Sequence, residues 1–144
     1  MIKDVIIKVK GIQGIDDQID TIELTTEGRF GVKNGKYFLS YEEGQLIENG
    51  LCKTKIYINS SNSVLLQRSG AIESRMEIEK DKRNASFYVT PVGELFIGVY
   101  GEMVEVNLDE SGGSINLAYT IDSDLRLISR NTVEITVKEV EKCQ

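Results

Sequence analysis

Arg29-Phe30-Gly31-Val32-Lys33-Asn34-Gly35-Lys36-Tyr37-Phe38-Leu39-Ser40-Tyr41 is two short runs rich in aromatic and branched residues, joined by an Asn-Gly pair. A two-residue type I′ turn needs positive φ at both central positions, and Asn followed by Gly satisfies that at least cost. The stretch therefore reads as a tight antiparallel hairpin. Successive side chains of a strand point to opposite faces, so Tyr37, Leu39 and Tyr41 share one face and Phe38 and Ser40 the other.

The same two-residue period spreads outward from this hairpin. Val5, Ile7 and Val9 alternate with Ile6, Lys8 and Lys10; Ile115, Leu117, Tyr119 and Ile121 alternate with Asn116, Ala118 and Thr120; Val133, Ile135 and Val137 alternate with Glu134, Thr136 and Lys138. Such alternation marks sheet with one face in a core and one in water. It predicts strands at about 2–12, at 19–27 and 29–33 on either side of Gly28, and at 37–41, 52–59 and 63–69. Gly70 then bends or bulges the chain into a strand over about 71–79. Further strands are expected at about 85–90, 94–108, 114–121 and 125–140, the first cut off by Pro91 and Gly93 and the last broken near Ser129 to Asn131. Residues 42–51 read as a loop in which Leu46–Ile47 is too short a pair to start a helix.

Every link is short enough for a hairpin. A meander of this kind closes on itself and removes its exposed edges, so the expected fold is all-β: a single antiparallel up-and-down β-barrel of about ten strands with little helix. A β-sandwich is the other arrangement that would bury these faces. No repeat or linker interrupts the pattern, hence one domain over residues 1–144.

Composition narrows the function more than it identifies it. The net charge of −6 argues against nucleic acid or an anionic membrane as partner. Residues 51–84 run against the whole, with seven basic and four acidic side chains. This is either ordinary cross-strand pairing on a surface or a local basic face for an anionic ligand. Histidine is absent, which removes Ser-His-Asp and Cys-His nucleophile systems. Two distant cysteines, Cys52 and Cys143, make neither a disulfide framework nor a zinc set, so no metal and no cofactor is expected. The opening residues enter a strand pattern without an apolar export segment, and with unpaired thiols this points to the cytoplasm. Glu42-Glu43 would point opposite ways in an extended chain, a poor acid–base pair; Asp16, Asp17 and Asp20 lack the spacing of a calcium loop.

The polar residues inside strands carry more. Arg68 is in register with Val64 and Leu66. If that face is the interior, a buried cation needs a partner, whether a bound carboxylate or phosphate, or an internal acid such as Glu42. Arg75 lies with Glu73 and Glu77 and faces water by parity, unless the bend at Gly70 shifts the register. The tyrosines read mainly as wall residues with a polar tip.

Three stretches, Tyr41-Glu42-Glu43, Arg68-Ser69-Gly70-Ala71-Ile72-Glu73-Ser74-Arg75-Met76 and Thr90-Pro91-Val92-Gly93-Glu94-Leu95, resemble the YwiB-like family in order and spacing. These are small bacterial proteins of unknown function. The resemblance implies a calycin-like, lipocalin-like barrel in the cytoplasm and implies no settled activity. It carries over Arg68, Arg75 and the Thr90-Pro91-x-Gly93 turn, and departs at Ala71 and Ser74, where larger apolar residues are expected. The leading expectation is a noncatalytic barrel for a small molecule with an anionic or polar end, with Arg68, Arg75, Tyr41, Glu42, Tyr88 and Thr90 as candidate ligand-binding residues. The alternatives are a protein-interaction or regulatory module with a filled core and, last, a carboxylate-based enzyme.

Overall fold

The computed structural model describes residues 2–42, 52–70, 73–90 and 93–140, all but a few of them in strand. The strands are β1 (Ile2–Ile15), β2 (Gln18–Lys33), β3 (Lys36–Glu42), β4 (Cys52–Ser60), β5 (Ser63–Gly70), β6 (Glu73–Glu79), β7 (Arg83–Thr90), β8 (Gly93–Asp109), β9 (Gly112–Ser123) and β10 (Arg126–Glu139). Each pairs antiparallel with its chain neighbours, and β1 also pairs with β10, which closes the barrel. No helix occurs among the described residues.

The Asn34-Gly35 turn forms as read, with φ of 54° and 76° between the Lys33 and Lys36 pair. Three boundaries differ from the sequence reading. Gly28 does not divide two strands: β2 runs straight through it, and a Cβ there would lie 2.5 Å from Ile7 Cδ1 and 2.6 Å from the Ser40 carbonyl oxygen. The glycine is a place of close approach, not a break. Gly70 does not bend one strand. β5 and β6 lie antiparallel, with Ser63 opposite Glu79 and Arg68 opposite Ser74, so the chain reverses there. The irregularity expected near 129–131 is a register shift between Leu127 and Ser129, and β10 continues past it. The Leu46–Ile47 pair lies outside the described residues.

The barrel has two unlike ends. The β2–β3, β4–β5, β6–β7 and β8–β9 links gather at one; the β1–β2 and β9–β10 tips, with the upper ends of β3 to β8, gather at the other, called here the mouth. The half away from the mouth is a packed apolar core in which Val5, Ile7, Phe30, Leu39, Ile56, Val64, Ile78, Ile115, Leu117 and Ile135 are at most 1% exposed. Burial on this scale is the main stabilising term, at about 1.5–3 kcal/mol per large apolar side chain. Phe30 stacks on Tyr37, their ring centroids 5.2 Å apart.

A polar strap crosses the outer wall from β7 to β9. Arg83 of β7 reaches across β8 and donates from Nε and Nη2 to both carboxylate oxygens of Asp122 on β9, at 2.9 and 2.6 Å. It passes over Gly98, where a Cβ would collide with the guanidinium. Asp122 Oδ1 also accepts the Leu125 backbone N–H at 3.2 Å, tying the strap to the β9–β10 tip. The Arg83 hydrogen bond holds the Asp122 carboxyl below its ordinary range.

Candidate functional site

The inner face changes character one row above the apolar core. Leu39, Ile56, Leu66 and Met76 are cross-strand partners in sequence and form an apolar row from β3 to β6. Two residues nearer the mouth, the next inner row reads Tyr41, Thr54, Arg68, Ser74, Tyr88, again direct partners, now across five strands. Neighbours in such a row stand about 4.5–5.5 Å apart, so these polar groups form one continuous band. Tyr41, Thr54 and Ser74 are buried, while Arg68 and Tyr88 are half-buried.

Other strands add polar groups on the facing wall. Tyr119 of β9 is buried opposite Asn131 of β10, whose Nδ2 donates to the Ser129 hydroxyl at 3.0 Å. Burial pushes the Tyr119 hydroxyl above its usual pKa, and the positive charge of Arg68 acts in the opposite sense. The Arg68 cation on β5 and the Tyr119 hydroxyl on β9 thus sense each other across the barrel. Two hydroxyls complete the set. Thr54 Oγ1 and Ser86 Oγ are both buried, the residues 1% and 7% exposed, and neither has a hydrogen-bond partner among the described residues.

The register sorts the sequence candidates. Arg68, Tyr41 and Tyr88 come together in the inner band. Arg75 does not: it sits opposite Gln67 and Phe87 on the outer face, exposed, as its parity with Glu73 and Glu77 required. Glu42 is likewise exposed on the outer face opposite Lys53, so it is on the wrong side of the sheet to partner Arg68. In both cases a step of one residue along a strand exchanges inside for outside. Thr90 ends β7 opposite Gly93. Thr54, Ser86 and Asn131 join the site without having been singled out by the sequence; Ser74 was noted there only as a departure from the family pattern and Tyr119 only among the wall tyrosines. The signal for Thr54 was available, since it falls between Cys52 and Ile56 on the inward parity of β4.

Chemically the band offers one guanidinium, three phenol groups and several hydroxyls, which suits binding and orienting a polar group. Cys52, another inward residue of β4, is buried.

Comparison with known proteins agrees with the architecture. Residues 7–135 match the family described as "Domain of unknown function (DUF1934)", and the chain belongs to that family. It is 32% identical over 112 residues to the uncharacterized beta-barrel protein YwiB of Bacillus subtilis (strain 168), an alignment covering 77% of this chain and 76% of that protein. The crystal structure of the ywiB protein from Bacillus subtilis superposes with a TM-score of 0.87 at 26% identity, covering 97% of this chain and 94% of the other.

Proposed function

We propose that this protein is a noncatalytic binding barrel whose ligand is a small molecule with a polar or anionic end, seated in the inner band beside Arg68. One observation carries the reading: Thr54 Oγ1 and Ser86 Oγ are buried within the barrel without a partner among the described residues. An unsatisfied buried hydroxyl costs about 1–3 kcal/mol, which a bound polar group recovers. Two such hydroxyls in a band that already holds a cation and three phenols describe a site built for an occupant. The width supports it. Eight strands give an interior that side chains just fill, and diameter grows with strand number, so ten leave more room. We read the barrel as lipocalin-like in this sense, and place it in the cytoplasm.

The test is native mass spectrometry on protein purified gently from its own cytosol, then on the same sample denatured. A discrete extra mass, lost on denaturation and depleted in Arg68→Ala, is the expected result. A clean apo mass for the wild type overturns the reading; an extra mass retained undiminished in Arg68→Ala overturns the placement of the site.

A further inference from the structure

Among the described residues, every large apolar side chain with more than half its surface in water, Ile2 excepted, lies at the mouth: Ile19 (74%), Ile22 (51%), Leu95 (59%), Phe96 (75%), Leu125 (80%) and Leu127 (53%). Scattered exposed apolar residues need no explanation, but a concentration on one end of a barrel marks a contact surface. These residues come from three neighbouring places: the β1–β2 tip, the start of β8 and the β9–β10 tip. They form one collar because β1 pairs with β10 and β9 with β8.

A second observation comes from the backbone. Leu125 occupies the second central position of a two-residue turn with φ of 66°, after Asp124 at 51°. This is the turn that Asn34-Gly35 makes without strain at the opposite end. A leucine there combines an unfavourable left-handed backbone with an apolar side chain held out in water. The turn gains nothing from it; a bound partner would.

Charge selects the partner. Within residues 15–22, 93–97 and 122–128 the exposed acids are Asp16, Asp17, Asp20, Glu94 and Asp124, against one base, Arg126. Asp122 is neutralised by Arg83, and the next base along β10, Arg130, faces Glu102 at 4.0 Å. An apolar collar with an acidic rim repels anionic membrane and a second copy of itself, and complements a cationic amphipathic surface. We infer that the mouth collar is a docking surface for a basic amphipathic segment of a partner protein, with Leu125 and Phe96 as its apolar anchors.

The experiment uses the full chain labelled with nitrogen-15 and a short peptide of Lys, Leu and Ala with one apolar helical face. Controls are the same peptide with Glu for Lys, vesicles of phosphatidylglycerol, and the protein alone across a concentration series. Amide shifts confined to the three collar segments, weakened by salt and reduced about tenfold in affinity by Leu125→Gly or by Phe96→Ser, are expected. Leu125→Gly suits the turn, so a folding defect does not obscure the result. The inference is overturned if the basic peptide does not bind, if it binds elsewhere, or if the Glu peptide binds equally well. Adsorption of the collar to the vesicles, or self-association through it, overturns it too.

Discussion

Leu125 supplies the sharpest test of the fold physics, because there a substitution to glycine is expected to stabilise. In most strand and helix positions glycine is worse than alanine by about 0.5–1 kcal/mol, owing to its larger unfolded-state entropy. At φ of 66° the order reverses. A residue with a Cβ carries about 1–2 kcal/mol of left-handed penalty, and glycine escapes it. The clean comparison is Leu125→Gly against Leu125→Ala, since both lose the same side-chain contacts and differ only in the backbone term. The expected difference favours glycine by about 0.5–1 kcal/mol. For a domain near this size that is about 1–4 °C in Tm, or roughly 0.3–0.5 M in urea midpoint. Equilibrium urea unfolding followed by far-ultraviolet circular dichroism measures it. If the alanine variant is as stable as the glycine variant or more so, the turn is not left-handed at this position and the account of the tip fails. The mirror experiment at the opposite turn, Gly35→Ala at φ of 76°, is expected to move stability down by a similar amount.

Three further outcomes follow from the geometry. Gly28→Ala places a Cβ against Ile7 and the Ser40 carbonyl, and is expected to cost about 1–3 kcal/mol through overpacking; a loss below about 0.5 kcal/mol in urea unfolding would mean that β1 and β3 yield there. Thr54→Val removes a hydroxyl buried without a partner among the described residues, at nearly constant volume, and is expected to stabilise the ligand-free protein by about 1 kcal/mol; no gain in Tm would mean that the hydroxyl is satisfied in solution. Asp122 has a carboxyl pKa lowered in the folded state, so its contribution is present above the unfolded carboxylate range and is lost as pH falls through its folded value. Wild type is therefore expected to lose more stability than Asp122→Asn on acidification below about pH 4, and parallel pH profiles for the two would refute the strap.

How much of this is legible in the sequence depends on the range of the interaction involved. The hairpin at Asn34-Gly35 and the faces that Tyr41 shares with Leu39 and Arg68 with Leu66 are local, set by turn chemistry and the two-residue period, and both stand in the structure; that these faces point inward is fixed only by barrel closure. The band is not local. Tyr41, Thr54, Arg68, Ser74 and Tyr88 become neighbours only when four strand registers are fixed at once, and one of those passes through Gly70, where local pattern suggests a bend and the chain reverses. Gly28 misleads for a related reason. A glycine in a strand signals either a break or a close neighbour, and the neighbours here, Ile7 and Ser40, lie on other strands. Glu42 and Arg75 group with Arg68 by chemistry, yet the pleat turns both outward.

The two ends of the barrel differ in how far each level of structure agrees with the next. Away from the mouth an unstrained Asn-Gly turn, a stacked Phe30–Tyr37 pair and apolar inner rows all favour the same fold. Towards the mouth, local choices oppose stability repeatedly and independently. Hydroxyls are buried without partners among the described residues at Thr54 and Ser86, a leucine is held left-handed at position 125, and large apolar side chains stand in water from Ile19 to Leu127. A chain selected for stability alone has simple remedies at each point: valine in place of Thr54, glycine in place of Leu125, a polar residue in place of Phe96. Departures from local consistency tend to mark where function acts on a fold. Here they fall on the interior band and on the rim above it, so a ligand entering by the mouth passes the collar. A partner seated on that collar would then control access to the band, and binding of one would be coupled in free energy to binding of the other. The Leu125→Gly protein separates the two proposed functions: it is expected to lose the peptide and keep the small molecule, whereas Arg68→Ala is expected to do the reverse.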